Sequence, residues 1–234
     1  MNTKLILASS LFVAVATCTA TQPQSFETAW ITAKPEVLTY RTTSKQGDGF
    51  YQISVWRSGR GIESYINIIS PGFTKSVWGV MSAGFQPRES NSRIVVSDQI
   101  IMTTDCSYKA ASLHIATLMA PYNRVMENTL SFSNLVVDFS QTPLLPRALP
   151  LQLGAHFEFA SLSPQSNSLV PLTMRVIGEE TVLGTACYKV EGNDFEGRSV
   201  YWIEKAGRHR AIRVEQSERI TELILAPVAA SVRN

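Results

Sequence analysis

Hydrophobic and polar positions alternate with period 2 over most of the chain from Glu36 to Leu225. The clearest runs are Tyr51-Gln52-Ile53-Ser54-Val55-Trp56-Arg57 and Ile62-Glu63-Ser64-Tyr65-Ile66-Asn67-Ile68, separated by Ser58-Gly59-Arg60-Gly61. Alternation at this period puts every second side chain on one face of a strand, and a glycine-containing break of four residues marks a hairpin. Pairing Arg57 with Ile62 sets Val55 against Ser64, Ile53 against Ile66 and Tyr51 against Ile68. That face is largely apolar and predicts a core. The opposite face carries Gln52, Ser54, Trp56, Glu63, Tyr65 and Asn67. One apolar face and one polar face indicate an antiparallel sheet, since parallel sheets are buried on both sides.

The same reading predicts further strands at Thr74 to Ser82, Arg93 to Thr104, Ser112 to Met119, Val125 to Ser133 and Leu135 to Phe139. It then predicts His156 to Leu162, Leu172 to Ile177, Thr185 to Val190, Ser199 to Glu204, Ala211 to Glu215 and Thr221 to Leu225. Short helices are expected only at Phe26 to Ile31 and Tyr108 to Ser112. The span 141–150 holds Pro143, Pro146 and Pro150. Prolines at that density forbid a central strand and disfavour a helix, so a crossing connection within one domain is expected there. The fold class that follows is all-β: one curved antiparallel sheet, as a half-barrel or open barrel.

The first residues break this pattern. Lys4 precedes an apolar run from Leu5 to Ala16, which is shorter than the roughly 20 residues a spanning helix needs. Residues 1–20 therefore read as a secretory signal peptide, and 21–234 as a single β-rich domain. Two cleavage readings stand. Val15-Ala16-Thr17-Cys18 resembles a bacterial lipobox, which would make Cys18 the lipidated first residue, although Thr17 departs from that pattern. Ordinary cleavage would follow Ala20. Thr19 after the cysteine resembles an outer-membrane sorting signal. The expected location is the bacterial periplasm, with an outer-membrane anchor under the first reading.

Composition narrows the function classes. The chain has 234 residues, 44% hydrophobic and 17% charged, with a net charge of +2. This excludes intrinsic disorder and gives no electrostatic footprint for nucleic acid. No apolar run of membrane length follows residue 23.

Chemistry-bearing residues are sparse. His114, His156 and His209 have no metal-type spacing to one another or to Cys, Asp or Glu, and no phosphate- or dinucleotide-binding glycine loop occurs. Neither a cofactor nor a metal is expected. Cys106 and Cys187 are either a disulfide, as an oxidising compartment favours, or two buried thiols. Cys106 with His114 would make a thiol–imidazole dyad if the fold brought them together. The alternative for His114, which shares a strand face with Ala116 and Leu118, is a core or barrel-lining histidine. Lys205, Arg208, His209, Arg210 and Arg213 form a basic cluster, either an exposed hairpin tip or a contact for anionic headgroups. Trp56 and Tyr65 on the polar face, with Trp78 and Trp202 in mid-strand, are the candidate ligand contacts, on the premise that they line a concave apolar surface.

The stretch from Ile177 to Val190, followed by Tyr201-Trp202-Ile203 and Arg210-Ala211-Ile212-Arg213-Val214, resembles the C-terminal half of a domain-of-unknown-function family of Gram-negative periplasmic proteins. That family looks like the half-barrel of the lipoprotein carriers LolA and LolB. The resemblance covers about residues 172–225. It implies a curved antiparallel sheet with an apolar concave face and no catalytic residue. The leading expectation is a non-enzymatic envelope protein that binds a lipid or acyl chain on that face. The alternatives are an envelope interaction protein that offers its edge strands to a partner protein, and a thiol enzyme using Cys106 and His114.

Overall fold

The computed structural model describes residues 25–224 apart from 134, 165, 195 and 196. The expected leader, both cleavage positions and Cys18 lie outside the described residues. The alternating pattern folds into fifteen strands among the described residues. The first eight are β1 (Glu36–Ser44), β2 (Gly47–Ser58), β3 (Gly61–Ser70), β4 (Phe73–Met81), β5 (Pro87–Val96), β6 (Gln99–Lys109), β7 (Ser112–Met119) and β8 (Arg124–Ser131). The rest are β9 (Val136–Val137), β10 (His156–Ser163), β11 (Ser168–Val182), β12 (Thr185–Asp194), β13 (Gly197–Glu204), β14 (Ala211–Gln216) and β15 (Arg219–Leu223).

They form one sheet in the order β8-β7-β6-β5-β4-β3-β2-β1-β15-β14-β13-β12-β11-β10-β9. All pairings are antiparallel except that of β9 with β10. Two meanders thus meet where the first and last strands pair, with Tyr40 opposite Leu223. Register irregularities at Val80/Met81, Ile94/Val95, Val176/Gly178 and Trp202/Ile203 interrupt otherwise regular ladders. Such bulges bend and twist a sheet. The two far ends approach each other at the β10–β11 turn. Asn128 Nδ2 donates to the Asn167 carbonyl (3.0 Å), and Thr117 Oγ1 donates to Asn167 Oδ1 (3.1 Å). The result is a curved, barrel-like open sheet.

The first hairpin has the register counted from the sequence, including Arg57 opposite Ile62 and Ile53 opposite Ile66. Its apolar face is buried. Three expectations fail for local reasons. Arg93 to Thr104 is not one strand: Ser97 (φ 48°) and Asp98 (φ 64°) turn the chain between β5 and β6. Both turn residues take the left-handed conformation that a tight two-residue hairpin needs. No helix forms at Phe26 to Ile31, where Phe26 instead packs on Phe85 with ring centroids 5.0 Å apart. Tyr108 to Ser112 is the β6–β7 hairpin, not a helix.

The span 141–150 lies in the connection between β9 and β10, which are neighbours in the sheet. Residues 138–149 enter the concave side of the sheet, where Leu144, Leu145, Ala148 and Leu149 are fully buried. One helical turn, α1 (Leu145–Ala148), forms there with Pro146 in its first turn, where a missing N–H costs no hydrogen bond. The segment lies so close to β4 that a Cβ on Gly79 would stand 2.2 Å from Ser140 Oγ and 2.5 Å from Ser140 Cβ. Gly79→Ala is expected to destabilise the fold by about 1–3 kcal/mol through overpacking, read as a lower denaturant midpoint with an unchanged slope. An unaltered midpoint would mean that the segment does not press on β4.

Candidate functional site

Residues 138–149 are anchored at both ends by buried charges. At one end Asp138 is fully buried. Its carboxylate accepts from Ser90 Oγ (2.8 Å), from the Ser140 amide (2.7 Å) and from the Tyr108 hydroxyl. Burial raises its pKa, and these hydrogen bonds oppose the rise without cancelling it. Gln141 closes the turn, accepting from the Asp138 amide through Oε1 (2.8 Å).

At the other end Arg147 is 0% exposed. Its Nη2 donates to Glu36 Oε2 (2.6 Å) and to the Arg208 carbonyl (3.0 Å), and its Nε donates to the His209 carbonyl (3.1 Å). Trp30 covers the guanidinium, with the ring centroid 3.8 Å away. Tyr40, four residues along β1 from Glu36 and on the same face, is 1% exposed. Its phenol is pushed up to about 12, chiefly by burial and against the pull of Arg147. These residues escape a motif search because neither end matches a spacing rule. The signal was present all the same: a lone Asp138 and a lone Arg147 within apolar runs, where a charge needs a partner.

Three of the four aromatic candidates come together. Tyr65 on β3 lies opposite Trp78 on β4 and Ser54 on β2, and Trp56 follows two residues along β2. Trp56 and Trp78 are half-buried and Tyr65 is 39% exposed. All three stand on the outer face, not on a concave apolar surface, because the concave side is packed against the chain's own residues 138–149. Their surroundings are polar. Ser76 Oγ donates to Asn67 Oδ1 (3.1 Å), Asn91 Nδ2 donates to Asp105 Oδ1 (2.7 Å), and Arg60 lies over Trp78 at 5.1 Å while pairing with Glu89.

Trp202 is not part of this cluster. On β13 it is 5% exposed, donates through Nε1 to Glu180 Oε2 (3.0 Å) and lies beneath Lys189 and Arg213 at 5.0 and 5.5 Å. Its hydrogen bond is the main reason that the Glu180 carboxyl sits below the usual range. The indole is thus held in a charge network.

The thiol readings are corrected by position. Cys106 and Cys187 are both free and buried, on the third and twelfth strands of the sheet order. Cys106 faces the core beside Ser90, whereas His114, one strand away on β7, faces outward and contacts Thr129 Oγ1 at 3.4 Å. A dyad across opposite faces cannot form, and His114 is exposed, not a core residue. Burial, with Asp138 nearby, raises the Cys106 pKa and keeps the thiol protonated. The basic cluster is largely spent on ion pairs: Lys205 with Glu179, Arg210 with Glu204, and Arg213 with Glu215 and Glu222. Arg208 remains 61% exposed. Among the described residues no group of three or more His, Cys, Asp and Glu could hold a metal ion, and no helix is long and apolar enough to cross a membrane.

No protein-family model matches the chain, and no curated protein matches it. A solved structure does: a β-barrel-like protein of the domain of unknown function DUF1849 from Brucella abortus. The two superpose with a TM-score of 0.56 at 11% identity, over 83% of this chain and 97% of that one. At that identity the likeness establishes a shared barrel-like fold. The finer tie to the lipoprotein carriers rests on the sequence motifs alone.

Two measurements test the anchors. Arg147→Ala is expected to cost about 3–5 kcal/mol in chemical unfolding, because it leaves Glu36 buried against one distant arginine. A loss near zero would remove Arg147 from that role. The second concerns alkali. Tyr40 has a folded pKa raised from 10.0 to about 12. Its contribution is complete below pH 10 and falls away as the pH rises through 12, by about 2–3 kcal/mol. Stability should therefore decline across that window in the wild type, and the decline should be shallower in Tyr40→Phe.

Proposed function

We propose that this chain is an exported, non-enzymatic binding protein of the bacterial cell envelope that takes its ligand on the outer face of β2–β4, with Trp56, Tyr65 and Trp78 as contacts. The observation that carries this reading is the filled concave side. An acyl chain held there would displace Leu144, Leu145 and Leu149 and strip Asp138 and Arg147 of their partners, and breaking a buried pair costs several kcal/mol. The outer cluster needs no such rearrangement. Half-exposed aromatic rings within a polar surround are the usual anchors of a binding surface, since they supply contact area at low conformational cost. The apolar run Leu5 to Ala16 after Lys4, read as an export signal, supports the envelope location. The absence of a thiolate-stabilising environment at Cys106 supports a role without catalysis.

An apolar ligand, a lipid above all, remains the favoured class. A partner protein is the second reading, favoured by β8, an end strand of the sheet on which Val125 is 60% exposed. Native mass spectrometry of protein purified without detergent from a bacterial periplasm tests the first. A lipid-sized added mass is expected in the wild type. It should fall at least tenfold in Trp78→Ala and persist in Trp202→Phe. A clean apo mass, or an adduct indifferent to Trp56→Ala, Tyr65→Ala and Trp78→Ala, would sink the aromatic site.

A further inference from the structure

The outer face of the sheet carries an apolar row that the aromatic cluster does not use. Across β2 to β6 the register sets Phe50 opposite Ile69, Ile69 opposite Thr74, Thr74 opposite Val95 and Val95 opposite Ile100. Phe50 has the outward parity of Trp56 on β2, and residues directly opposite one another share a face. Phe50 is 54% exposed, Ile69 45% and Ile100 39%. The row ends at the 3₁₀ turn Ala120–Tyr122, which abuts β6 and leaves Tyr122 74% exposed. Beside that turn Leu118 stands opposite Val125, and both are exposed.

The row crosses the strands near the end of the sheet where the β1–β2, β3–β4, β5–β6 and β7–β8 turns lie. With neighbouring strands about 4.8 Å apart, it extends about 19 Å over five strands. An exposed apolar surface on this scale marks contact with a protein or a membrane. Direction and curvature separate the two. An added peptide strand pairs along an edge, whereas this row runs across a face. The face is convex, so a rigid partner would meet it over a small area only. The fluid boundary between headgroups and acyl chains closes around such a rim, and tyrosine is enriched at that boundary.

The charges at this end favour an anionic surface. Arg41 is paired with Asp48, and Lys45 with Glu218. Arg93, one step along the outer face of β5 from Val95, Arg124 after the 3₁₀ turn and Arg219 at the start of β15 are all exposed. None of the three makes an ion pair among the described residues. Asp98, in the β5–β6 turn, is the exposed carboxylate that stands against them without a counterion. Three cations against one anion leave an excess of two positive charges.

We propose that this rim docks the protein on an anionic bilayer surface, with Phe50, Ile69, Ile100 and Tyr122 entering the interface and the three arginines meeting the headgroups. The inference does not rest on the aromatic ligand site. Tyr65 lies four residues along β3 from Ile69, towards the opposite end of the sheet, and Trp78 stands opposite it.

The test is cosedimentation of the purified full chain, carrying Cys18→Ser so that no acyl group can be attached there, with lipid vesicles. One set is equal parts phosphatidylcholine and phosphatidylglycerol, the other phosphatidylcholine alone. Binding to the mixed vesicles is expected, about tenfold weaker on the neutral ones and weakened by added sodium chloride. Phe50→Ser with Ile69→Ser should lose about tenfold or more, and Arg93→Ala about fivefold. Val37→Ser, at a side chain 55% exposed but off the row, and Trp78→Ala should bind as the wild type does. Ile100→Ser with Tyr122→Ser repeats the measurement if the melting curve shows that the first pair does not fold. The proposal is overturned if the mixed vesicles do not sediment the protein, or if binding survives both rim pairs. It is equally overturned if Trp78→Ala abolishes binding, which would transfer it to the aromatic site. A concentration-dependent dimer that the rim pair dissolves, without vesicle binding, would make the row a contact between copies instead.

Discussion

The buried ion pair between Arg147 and Glu36 is the constraint on which the rest of the structure hangs. Its guanidinium touches four parts of the chain at once: its own helical turn, β1 through Glu36, the β13–β14 hairpin tip through two carbonyls, and the N-terminal segment through Trp30. Those parts are far apart in sequence, 111 residues in the case of Glu36. A pair of this kind adds little net stability over an apolar replacement, because desolvation offsets the Coulomb gain. In this placement of the segment Nε and Nη2 of Arg147 both find partners, which ties the segment to β1 and to the hairpin tip.

The second anchor explains an otherwise odd strand. β5 turns Ser90 and Ser92 towards the core, where a sheet would normally present aliphatic residues. Ser90 is there because Asp138 needs donors, and Tyr108 on β6 supplies another. A carboxyl taken out of water has to be met by several hydrogen bonds at once. The sheet therefore has two kinds of inner lining, apolar over most strands and hydroxyl-bearing beside Asp138. Gly79 belongs to the same arrangement, leaving room for Ser140 where any side chain would collide.

These anchors also account for what the sequence disclosed. The β2–β3 register was legible to the residue, because apolar alternation and a glycine turn coincide there and a one-residue slip would invert both faces. β5 was not, because its inward serines erase the alternation and Ser97-Asp98 lacks the usual turn chemistry. The proline-rich span was recognised as irregular, but its destination was not. Leu144, Leu145, Ala148 and Leu149 read equally well as a covered loop, and only the partners of Arg147 show that they fill the concave side. The outer position of Trp56 and Tyr65 was legible from parity. That their face is convex was not, since curvature follows from bulges and from what the sheet wraps.

A barrel that encloses its own chain has given up the interior as a ligand cavity, so binding has to be sought where the sheet's regular bonding stops or where its outside is not purely polar. The outer face of β2–β4 is one such place, because three rings there remain half-wet without any packing need that the core could meet. The seam at the chain ends is the other. β15 is shorter than the strands it joins, so the ladder lapses beside Glu36. The two places differ in chemistry, aromatic rings in one and paired arginines and glutamates in the other. The same Arg147 that anchors the segment on the concave side also holds the β13–β14 hairpin tip, through the carbonyls of Arg208 and His209.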